Sequence, residues 1–351
     1  MSNLSMDAIN DIDNLDELRA ILEAHRQELE RVEAQVAVVN AAKIPQAVVL
    51  FNDAVLERTC AGLRDAHGTK CYMYATLVCL AHTASFVRAL CNEGKHLVTK
   101  DVAKLLLSIR DGSIESMYRS PVYGESIVWD FHRGEQEDAH DYYLHLMRQL
   151  YGISDVPKRL FKWKWAQVQT CAGCSFESRT LHSTIMFIAG ECDGGIGGKD
   201  DGKAAATTKT SVVEAIQAYL HEDVTKLCED CGVQQNHSVG TEFTNEPDVL
   251  VVKIHLFNIK VDAKAGTFSS ERIVPTVDFQ AGDDIQLASS KYRPSAFLTH
   301  IGSKMSSGHY KAYVRGHMNQ WFEVNNHVVR KVNIKKVDTT EAYLIFFEKT
   351  P

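Results

Sequence analysis

Three absences narrow the function of this 351-residue chain before any motif is considered. No apolar run approaches the ~18 uninterrupted residues that a membrane helix needs, so we expect no membrane segment. The first residues, MSNLSMDAINDID, lack the basic and apolar regions of a signal peptide, so secretion is not expected either. Beyond position 40 the chain holds 36 acidic and 35 basic residues, which leaves no basic surplus for nucleic acid. Proteins of the cytoplasm or nucleus are the expected partners.

The net charge of −7 is concentrated at the N-terminus, where residues 1–40 hold nine acidic and three basic side chains. Apolar residues there recur in steps of three and four, interrupted by one histidine, which is the spacing of a heptad seam. The seam consists of Leu15, Leu18, Leu22, His25, Leu29, Val32, Val36 and Val39. The pattern predicts an acidic, coiled-coil-like helix over residues 1–45. Its apolar face either associates with a partner or a second copy, or packs back onto the body of the protein.

The body, residues 46–351, changes character along its length. Residues 50–150 read mostly as helices, whereas short runs rich in β-branched and aromatic residues follow from about residue 160. Helices followed by strands predict an α+β fold rather than alternating βαβ units. Residues 190–210 are rich in Gly, Asp and Lys and are interpreted as a mobile insertion, because they cannot support a core.

Nine cysteines, an odd number, argue for reduced thiols rather than a disulfide framework. Four of them form two Cys-x-x-Cys pairs with 53 residues between the pairs: Cys171, Cys174, Cys228 and Cys231. Four thiolates in two turns match the tetrahedral preference of a structural Zn²⁺, which leaves no open position for chemistry. Unrelated thiols or a redox pair are the alternatives, and the matching spacing favours zinc.

Cys71 is a candidate nucleophile because it opens the helical stretch CYMYATLVCL. The positive end of a helix dipole favours the thiolate form of a cysteine at that position. The alternative is a buried structural cysteine, an interpretation that fits Cys79 and Cys91 better, because they lie further along the helical stretch.

A candidate base and its orienting group follow late in the chain. His309 lies in a Gly-His step that enters a strand, and Asn325 ends the next strand, 16 residues later. If the two strands pair, the amide oxygen of Asn325 is expected to accept from Nδ1 of His309 and to turn the other ring nitrogen toward a thiol. The order Cys, His, Asn is that of papain-like hydrolases.

Six segments together resemble the ubiquitin-specific proteases, a papain-like family of deubiquitinases. They are GTKCYMYATLVCL, EDAHDYYLHLM, PDVLVVKIHLF, YRPSAFLTHIGSKMSSGHYKAYVRG, QWFEVNNHVVRKV and AYLIFFEK, and the two cysteine pairs fall where the family has its zinc turns. The resemblance runs from about residue 60 to 348. It implies a helical thumb, a β palm and zinc-held fingers at about 163–260, within a catalytic domain over 46–351.

The same resemblance implies roles for single residues. Cys71 would be the nucleophile, His309 the general base and Asn325 the third member, followed by Asn326 where many members have an acid. The implied reaction is hydrolysis of the amide or isopeptide bond after the C-terminal Gly-Gly of ubiquitin. A weak or inactive ubiquitin-binding relative, and a protease for a ubiquitin-like modifier, remain as alternatives.

The chain departs from the family pattern just before the nucleophile. Ala66 stands five residues before Cys71, where the family has an asparagine that helps to bind the oxyanion. Asp65 and His67 flank Ala66 and are candidates for that role, although a carboxylate repels an oxyanion unless it is protonated. Glu137 stands directly before the Asp-Ala-His block, where the family has a glutamine.

Residues for the basic tail of ubiquitin are also implied. Asp138 and Asp141 lie where the family uses acids to hold the arginines of the tail, and charge-assisted pairs of this kind are strong. The alternative is that both carboxylates cap or brace the helix that follows. The stretch from Pro294 to Gly308 is expected to be a flexible flap along the channel for the tail.

Overall fold

The structure is a computed structural model, and it describes residues 62–63, 68–93, 96–112, 131, 136–190, 209–221, 223–262, 267–305 and 307–351. The predicted N-terminal helix and its end at residue 45 lie outside the described residues, and so does most of the insertion predicted for residues 190–210. The three residues considered for the oxyanion, Asp65, Ala66 and His67, also lie outside them.

The described helices come mostly before the strands, as the sequence pattern predicts. They are α1 (Cys71–Ala81), α2 (Ala84–Glu93), α3 (Leu97–Asp111), α4 (Ala139–Ile153), α5 (Val156–Phe161) and α6 (Val212–Leu220). Every residue of α1 is buried, which explains why this helix is apolar on all sides. Asp138 caps α4, and Ser211 with Glu214 forms a capping box at α6.

In the described part of the chain, sixteen strands follow or separate these helices. They are β1 (Trp163–Cys171), β2 (Glu177–Thr184), β3 (Phe187–Ala189), β4 (Thr210–Ser211), β5 (Val224–Leu227), β6 (Gln234–Asn245), β7 (Val249–Ile254), β8 (Phe257–Asp262), β9 (Thr267–Arg272), β10 (Val277–Asp278), β11 (Ile285–Leu287), β12 (Ser290–Lys304), β13 (Ser307–Arg315), β14 (Trp321–Asn325), β15 (Val328–Val332) and β16 (Ala342–Lys349).

Eight of these strands form the central sheet, in the order β15-β14-β13-β12-β16-β7-β3, with β11 paired to β12. All pairs in it are antiparallel except β3 with β7. Strand β12 runs without interruption from Ser290 to Lys304, and residues 294–300 of it are buried. The expected flap from Pro294 to Gly308 is therefore wrong for most of its length, because paired strands on both sides hold β12 in the sheet.

A second sheet of four antiparallel strands has the order β2-β1-β6-β5. It begins at Trp163 and ends at Asn245. The sequence range suggested for the fingers, about 163–260, also includes β3 and β7, which the structure places in the central sheet. Both strands are almost wholly apolar, and β7, which lies between β16 and β3, is buried along nearly its whole length.

Helix α1 lies between the central sheet and the other helices. It packs on β12 and β13 on one side, and it contacts α3 and α4 on the other. Within the described part of the chain no single helix is long and apolar enough to cross a bilayer. Only α1 and α2 taken together, bent by 78°, have the length and composition for it.

Candidate active site and metal centre

Cys71 is the first residue of α1 and is 2% exposed. Helix α1, which begins at Cys71, packs against β13, and β13 is the strand that carries His309. The charge of Cys71 is among the causes that raise the pKa of the neighbouring Tyr310, after burial and the charge of Asp138. Cys71 is therefore close enough to Tyr310, the residue directly after His309, for its charge to act on that side chain.

The other described cysteines outside the two pairs are poorer nucleophiles. Cys79 is completely buried within α1. Burial raises the pKa of Cys91 to about 11, so this thiol stays protonated near neutral pH. The helix N-terminus distinguishes Cys71 from both.

His309 and Asn325 meet across two paired strands, as their spacing predicts. Strands β13 and β14 are antiparallel neighbours, and Nε2 of His309 lies 2.7 Å from Oδ1 of Asn325. The prediction that Asn325 accepts from Nδ1 was wrong, since the bond is made to Nε2. The ring then donates its Nε2 proton to the amide oxygen, which leaves Nδ1 of the neutral ring without a proton.

Gly308 and Gln136 fix the backbone immediately before His309. A Cβ at Gly308 would lie 2.5 Å from Nε2 of His300, so only glycine fits between the strand and that ring. The side-chain amide of Gln136 donates to the carbonyl of Gly308. Gln136 directly precedes Glu137, which the resemblance places at the family's glutamine, and no local motif indicates the bond from Gln136 to Gly308.

The hairpin before His309 is anchored by strand β9. Nη1 of Arg272 donates to the carbonyls of His300 and Gly302, at 3.1 and 2.9 Å, while Nη2 pairs with Glu341. The backbone N–H of Met305 donates to Oγ of Ser270 at 3.0 Å. These bonds tie the β12 arm and the turn of the hairpin between β12 and β13 to one neighbouring strand.

The two cysteine pairs form turns of the same geometry. In each, the N–H of the first cysteine donates to the carbonyl five residues later, and the N–H four residues later donates back. The fifth position has a positive φ in both turns: 60° at Ser175 and 67° at Gly232. The first turn lies between β1 and β2, and the second between β5 and β6.

The four sulfur atoms of these turns, from Cys171, Cys174, Cys228 and Cys231, lie within 4.8 Å of one another. Sγ of Cys174 and Sγ of Cys228 are 3.6 Å apart, close to the ~3.8 Å that a tetrahedral ion with 2.3 Å bonds requires. The backbone of Cys231 hydrogen-bonds to the Cys228 sulfur and contributes most to lowering the pKa of Cys228, to about 6. The residues fit a metal ion, because four sulfur atoms converge at the separations that a tetrahedral ion requires.

Comparison with known proteins agrees with this geometry. A family model described as ubiquitin carboxyl-terminal hydrolase matches residues 61–347. The chain belongs to the ubiquitin carboxyl-terminal hydrolase family. Ubiquitin carboxyl-terminal hydrolase 25 of Arabidopsis thaliana is 22% identical over 334 residues, which cover 82% of this chain and 47% of that protein. Human ubiquitin carboxyl-terminal hydrolase 22 is 31% identical over 93 residues, 26% of this chain and 18% of that protein. The chain covers less than half the length of either relative.

Solved structures show the same fold. The SAGA Ubp8/Sgf11/Sus1/Sgf73 DUB module bound to ubiquitin aldehyde contains a chain with a TM-score of 0.63 and 16% identity, over 84% of this chain and 71% of that one. The Ubp8-Sgf11-Sgf73-Sus1 SAGA DUB module gives 0.64 over 97% and 76% at the same identity. The mixed helix and sheet architecture of this ubiquitin carboxyl-terminal hydrolase family member is thereby confirmed.

Asp138 occupies a structural position in this family member. Its Oδ1 accepts from the N–H of His140 at the start of α4, and both oxygens accept from the hydroxyl of Tyr343, at 2.9 and 2.7 Å. The residue is 8% exposed. This geometry favours the alternative in which Asp138 caps and braces α4.

Asp141 differs from Asp138 in its exposure. Its side chain is 61% exposed in the first turn of α4, and Oδ1 lies 3.1 Å from Nδ1 of His140. The hydrogen bond from His140 is the main cause that lowers the pKa of Asp141, so the carboxylate is charged near neutral pH. Asp141 therefore places an accessible negative charge in the first turn of the helix that Asp138 caps.

Asn326, the residue after Asn325, supports the entry to the site. It has a φ of 50°, and its carbonyl accepts from the N–H of Leu63 at 2.8 Å. Among the described residues, no hydrogen-bond partner reaches its buried Oδ1. The turn after β14 thus holds the segment that leads toward Cys71, and the role of Asn326 in binding the oxyanion stays a prediction.

Proposed function

We propose that this protein is a cysteine-type deubiquitinase that hydrolyses the amide or isopeptide bond after the C-terminal Gly-Gly of ubiquitin. The observation that carries the proposal is the 2.7 Å bond from His309 to Asn325 on a strand against which the Cys71 helix packs. Nucleophile, base and orienting group then follow the logic of a catalytic triad. Membership of the family supplies the substrate class.

The residues divide the reaction into two steps. Nδ1 of His309 takes the thiol proton of Cys71, and the sulfur attacks the carbonyl carbon of the terminal glycine. The C–N bond breaks as the imidazolium returns its proton to the leaving amine, which leaves a thioester. Water, deprotonated by His309, then attacks the thioester, releases the carboxylate of ubiquitin and restores the thiol. Asn325 keeps the ring in the required tautomer throughout.

The proposal assigns the exposed carboxylate of Asp141 to the basic tail of the substrate. A charged, accessible acid at a helix start can form charge-assisted hydrogen bonds with arginine. Asp138 would act on the tail through the placement of α4, since its own oxygens are engaged by Tyr343 and His140. Substitution Asp141→Ala is expected to raise KM for ubiquitin substrates more than it lowers kcat.

A ubiquitin probe with a C-terminal electrophile tests the proposed activity. Wild-type protein is expected to form one covalent adduct, identified by mass spectrometry at Cys71, and Cys71→Ser is expected to form none. The matched control is Cys91→Ser, which should label like wild type because burial keeps that thiol protonated.

The outcomes separate the alternatives. Ubiquitin binding without an adduct would contradict hydrolysis and favour a silent ubiquitin-binding relative. Faster capture by a probe built on a ubiquitin-like modifier would replace ubiquitin as the substrate. Labelling that persists in Cys71→Ser would remove Cys71 from its role.

We propose in addition that the metal held by the four cysteines is a structural Zn²⁺. Four thiolates in tetrahedral arrangement leave no position for substrate, so the ion would hold β1, β2, β5 and β6 together. Thiolates also need a reducing compartment, and a cytoplasmic or nuclear location is part of the proposal.

Elemental analysis tests the identity of the metal. The expected result is about one zinc per chain, lost in Cys174→Ser and retained in Cys91→Ser. Hydrogen exchange in residues 163–184 and 224–245 should quicken after zinc is lost. A fully ordered preparation without zinc would contradict the proposal.

A further inference from the structure

Two adjoining cavities lie at the end of the central sheet away from His309. The larger, of about 720 Å³, runs between the start of β12, the end of β13 and the segment around Ile334. The smaller, of about 250 Å³, continues from it to the ends of α1 and α3. Arg293, Arg315 and Asn319 line both cavities, so the two form one continuous recess.

Arg315 is the central cation of this recess. It is the last residue of β13, whose third residue is His309. Among the described residues, none forms a hydrogen bond or ion pair with its guanidinium group. Burial is the largest cause that lowers the pKa of Arg315. The nearby charge of Arg293 lowers it further, while the charges of Glu348 and Asp284 oppose the shift without cancelling it. A half-buried arginine beside a second cation is costly unless an anion offsets its charge.

The other charged groups leave the recess positive. Its cations are Arg110, Lys291, Arg293, Arg315 and Lys335, and its acids are Asp283, Asp284 and Glu348. His82 in the wall is neutral, because burial and then the charge of Arg110 lower its pKa to about 3. Beyond residue 40 the chain holds 36 acidic and 35 basic residues, so a recess with an excess of two positive charges differs from the nearly neutral balance of the body.

Two of the three acids, Asp284 and Glu348, already accept hydrogen bonds from other groups of the protein. Asp284 accepts from Nε and Nη2 of Arg293, at 2.7 and 2.8 Å, and from Lys291 at 3.1 Å. Glu348 accepts from the backbone N–H and the hydroxyl of Ser85, both at 2.7 Å. In the described part of the chain, Nη1 of Arg293 makes no hydrogen bond, so it can donate to a ligand beside Arg315.

The turn over the recess holds an uncommon backbone conformation. Met318 and Asn319 both have a positive φ, of 54° and 59°, and Asn319 faces both cavities. Asparagine tolerates this region, but a long side chain such as that of methionine does so at a cost. Met318 is 78% exposed, so packing does not explain the conformation.

We propose that this recess is a binding site for a phosphate monoester dianion. The fork of Arg315 matches two phosphate oxygens, Nη1 of Arg293 adds a charged donor beside it, and Lys335 adds a point charge at the open side. Two excess positive charges balance the two charges of the ligand. Trp321, which is 5% exposed, provides an apolar wall for whatever carries the phosphate.

Thermal unfolding of the full chain tests the site with inorganic phosphate and with a phosphoserine peptide. Both are expected to raise Tm saturably beyond chloride at matched ionic strength. Arg315→Gln should weaken binding by about tenfold or more. Arg330→Gln, an exposed arginine on β15, is the matched control and should bind like wild type. The stronger of the two probes identifies the source as free phosphate or a phosphorylated protein segment.

The same experiment decides against the proposal in two ways. The proposal is wrong if the Tm of wild type shows no saturable shift, or if the Tm shifts of wild type and Arg315→Gln are equal. Either result would mean that Arg315 is solvated and binds no phosphate. If Arg315→Gln does not fold, Lys335→Gln replaces it, because Lys335 is exposed. Unchanged affinity in that variant would overturn the site. The measurement needs no enzymatic activity, so it is independent of the proposed function.

Discussion

At the scale of single residues, the neutral amide of Asn325 beside His309 distinguishes this site from one with a carboxylate. The amide oxygen of Asn325 accepts the Nε2 proton and selects the tautomer, but it carries no charge to stabilise an imidazolium. The contribution of Asn325 to the rate is therefore expected to come from positioning, which is sensitive to displacements of about 1 Å.

We predict that Asn325→Ala lowers kcat/KM for a fluorogenic ubiquitin substrate by about a hundredfold, because the ring loses its fixed orientation. Asn325→Asp should retain activity, since a carboxylate oxygen accepts the same hydrogen bond. Asn333→Ala, an exposed asparagine beyond β15, is the control. An Asn325→Ala rate within about twofold of wild type would remove Asn325 from the positioning role.

At the scale of elements, the backbone is most constrained in the two cysteine turns and in the hairpin before His309. Both cysteine turns need a left-handed residue at their fifth position, but only the second has glycine there. The hairpin between β12 and β13 is held by Arg272 and Ser270 on β9, a strand that is distant in the sequence.

Replacing the strained serine should stabilise the first cysteine turn. Ser175→Gly removes a Cβ from a backbone with a φ of 60°, for a gain of about 1 kcal/mol in the free energy of unfolding. Ser183→Gly on β2 is the matched control, and it should destabilise, since glycine weakens a strand. Urea unfolding of the metal-loaded protein measures both. A loss of stability in Ser175→Gly would show that the serine makes a contact worth more than the strain.

Releasing the hairpin should increase its motion. In Arg272→Gln the carbonyls of His300 and Gly302 lose a charged donor, so backbone exchange over residues 302–308 should quicken. We expect kcat/KM to fall by about tenfold as His309 loses its support. Arg179→Gln, which removes an exposed ion pair in the four-stranded sheet, should change neither exchange in the hairpin nor kcat/KM. Unchanged exchange in Arg272→Gln would contradict the anchoring role.

At the scale of the whole molecule, the burial of polar groups around α1 determines how stability depends on pH. His82 and His300 are 3% and 1% exposed. Burial is the main cause that lowers their pKa values, to about 3 and about 4, and the charges of Arg110 and Arg272 lower them further. Both rings are thus neutral in the folded protein at any pH where it functions.

Acid should therefore destabilise the fold well above the range in which carboxylates titrate. The folded pKa values lie below the unfolded value of about 6.5, so the unfolded chain binds protons first as pH falls. The stability is complete above about pH 6.5 and declines below it, by about 2 kcal/mol per histidine at pH 5. Urea unfolding at pH 7, 6 and 5 measures this loss. His82→Gln should flatten the curve, the exposed His317→Gln should not, and an equal slope in His82→Gln and wild type would refute the assignment.

The sequence by itself determined the order of helices and strands, the two cysteine pairs that could hold a metal ion, and the candidates Cys71, His309 and Asn325. These depend on local signals: apolar periodicity, paired cysteines and short motifs at strand ends. Only the tertiary structure decided which ring nitrogen Asn325 binds, that Gln136 supports Gly308, that Asp138 is buried in a helix cap, and that β12 is a central strand rather than a flap. It alone brought Arg315 beside Arg293 and α3. Contacts between residues far apart in the chain depend on sheet order and register, and no short stretch of sequence contains either.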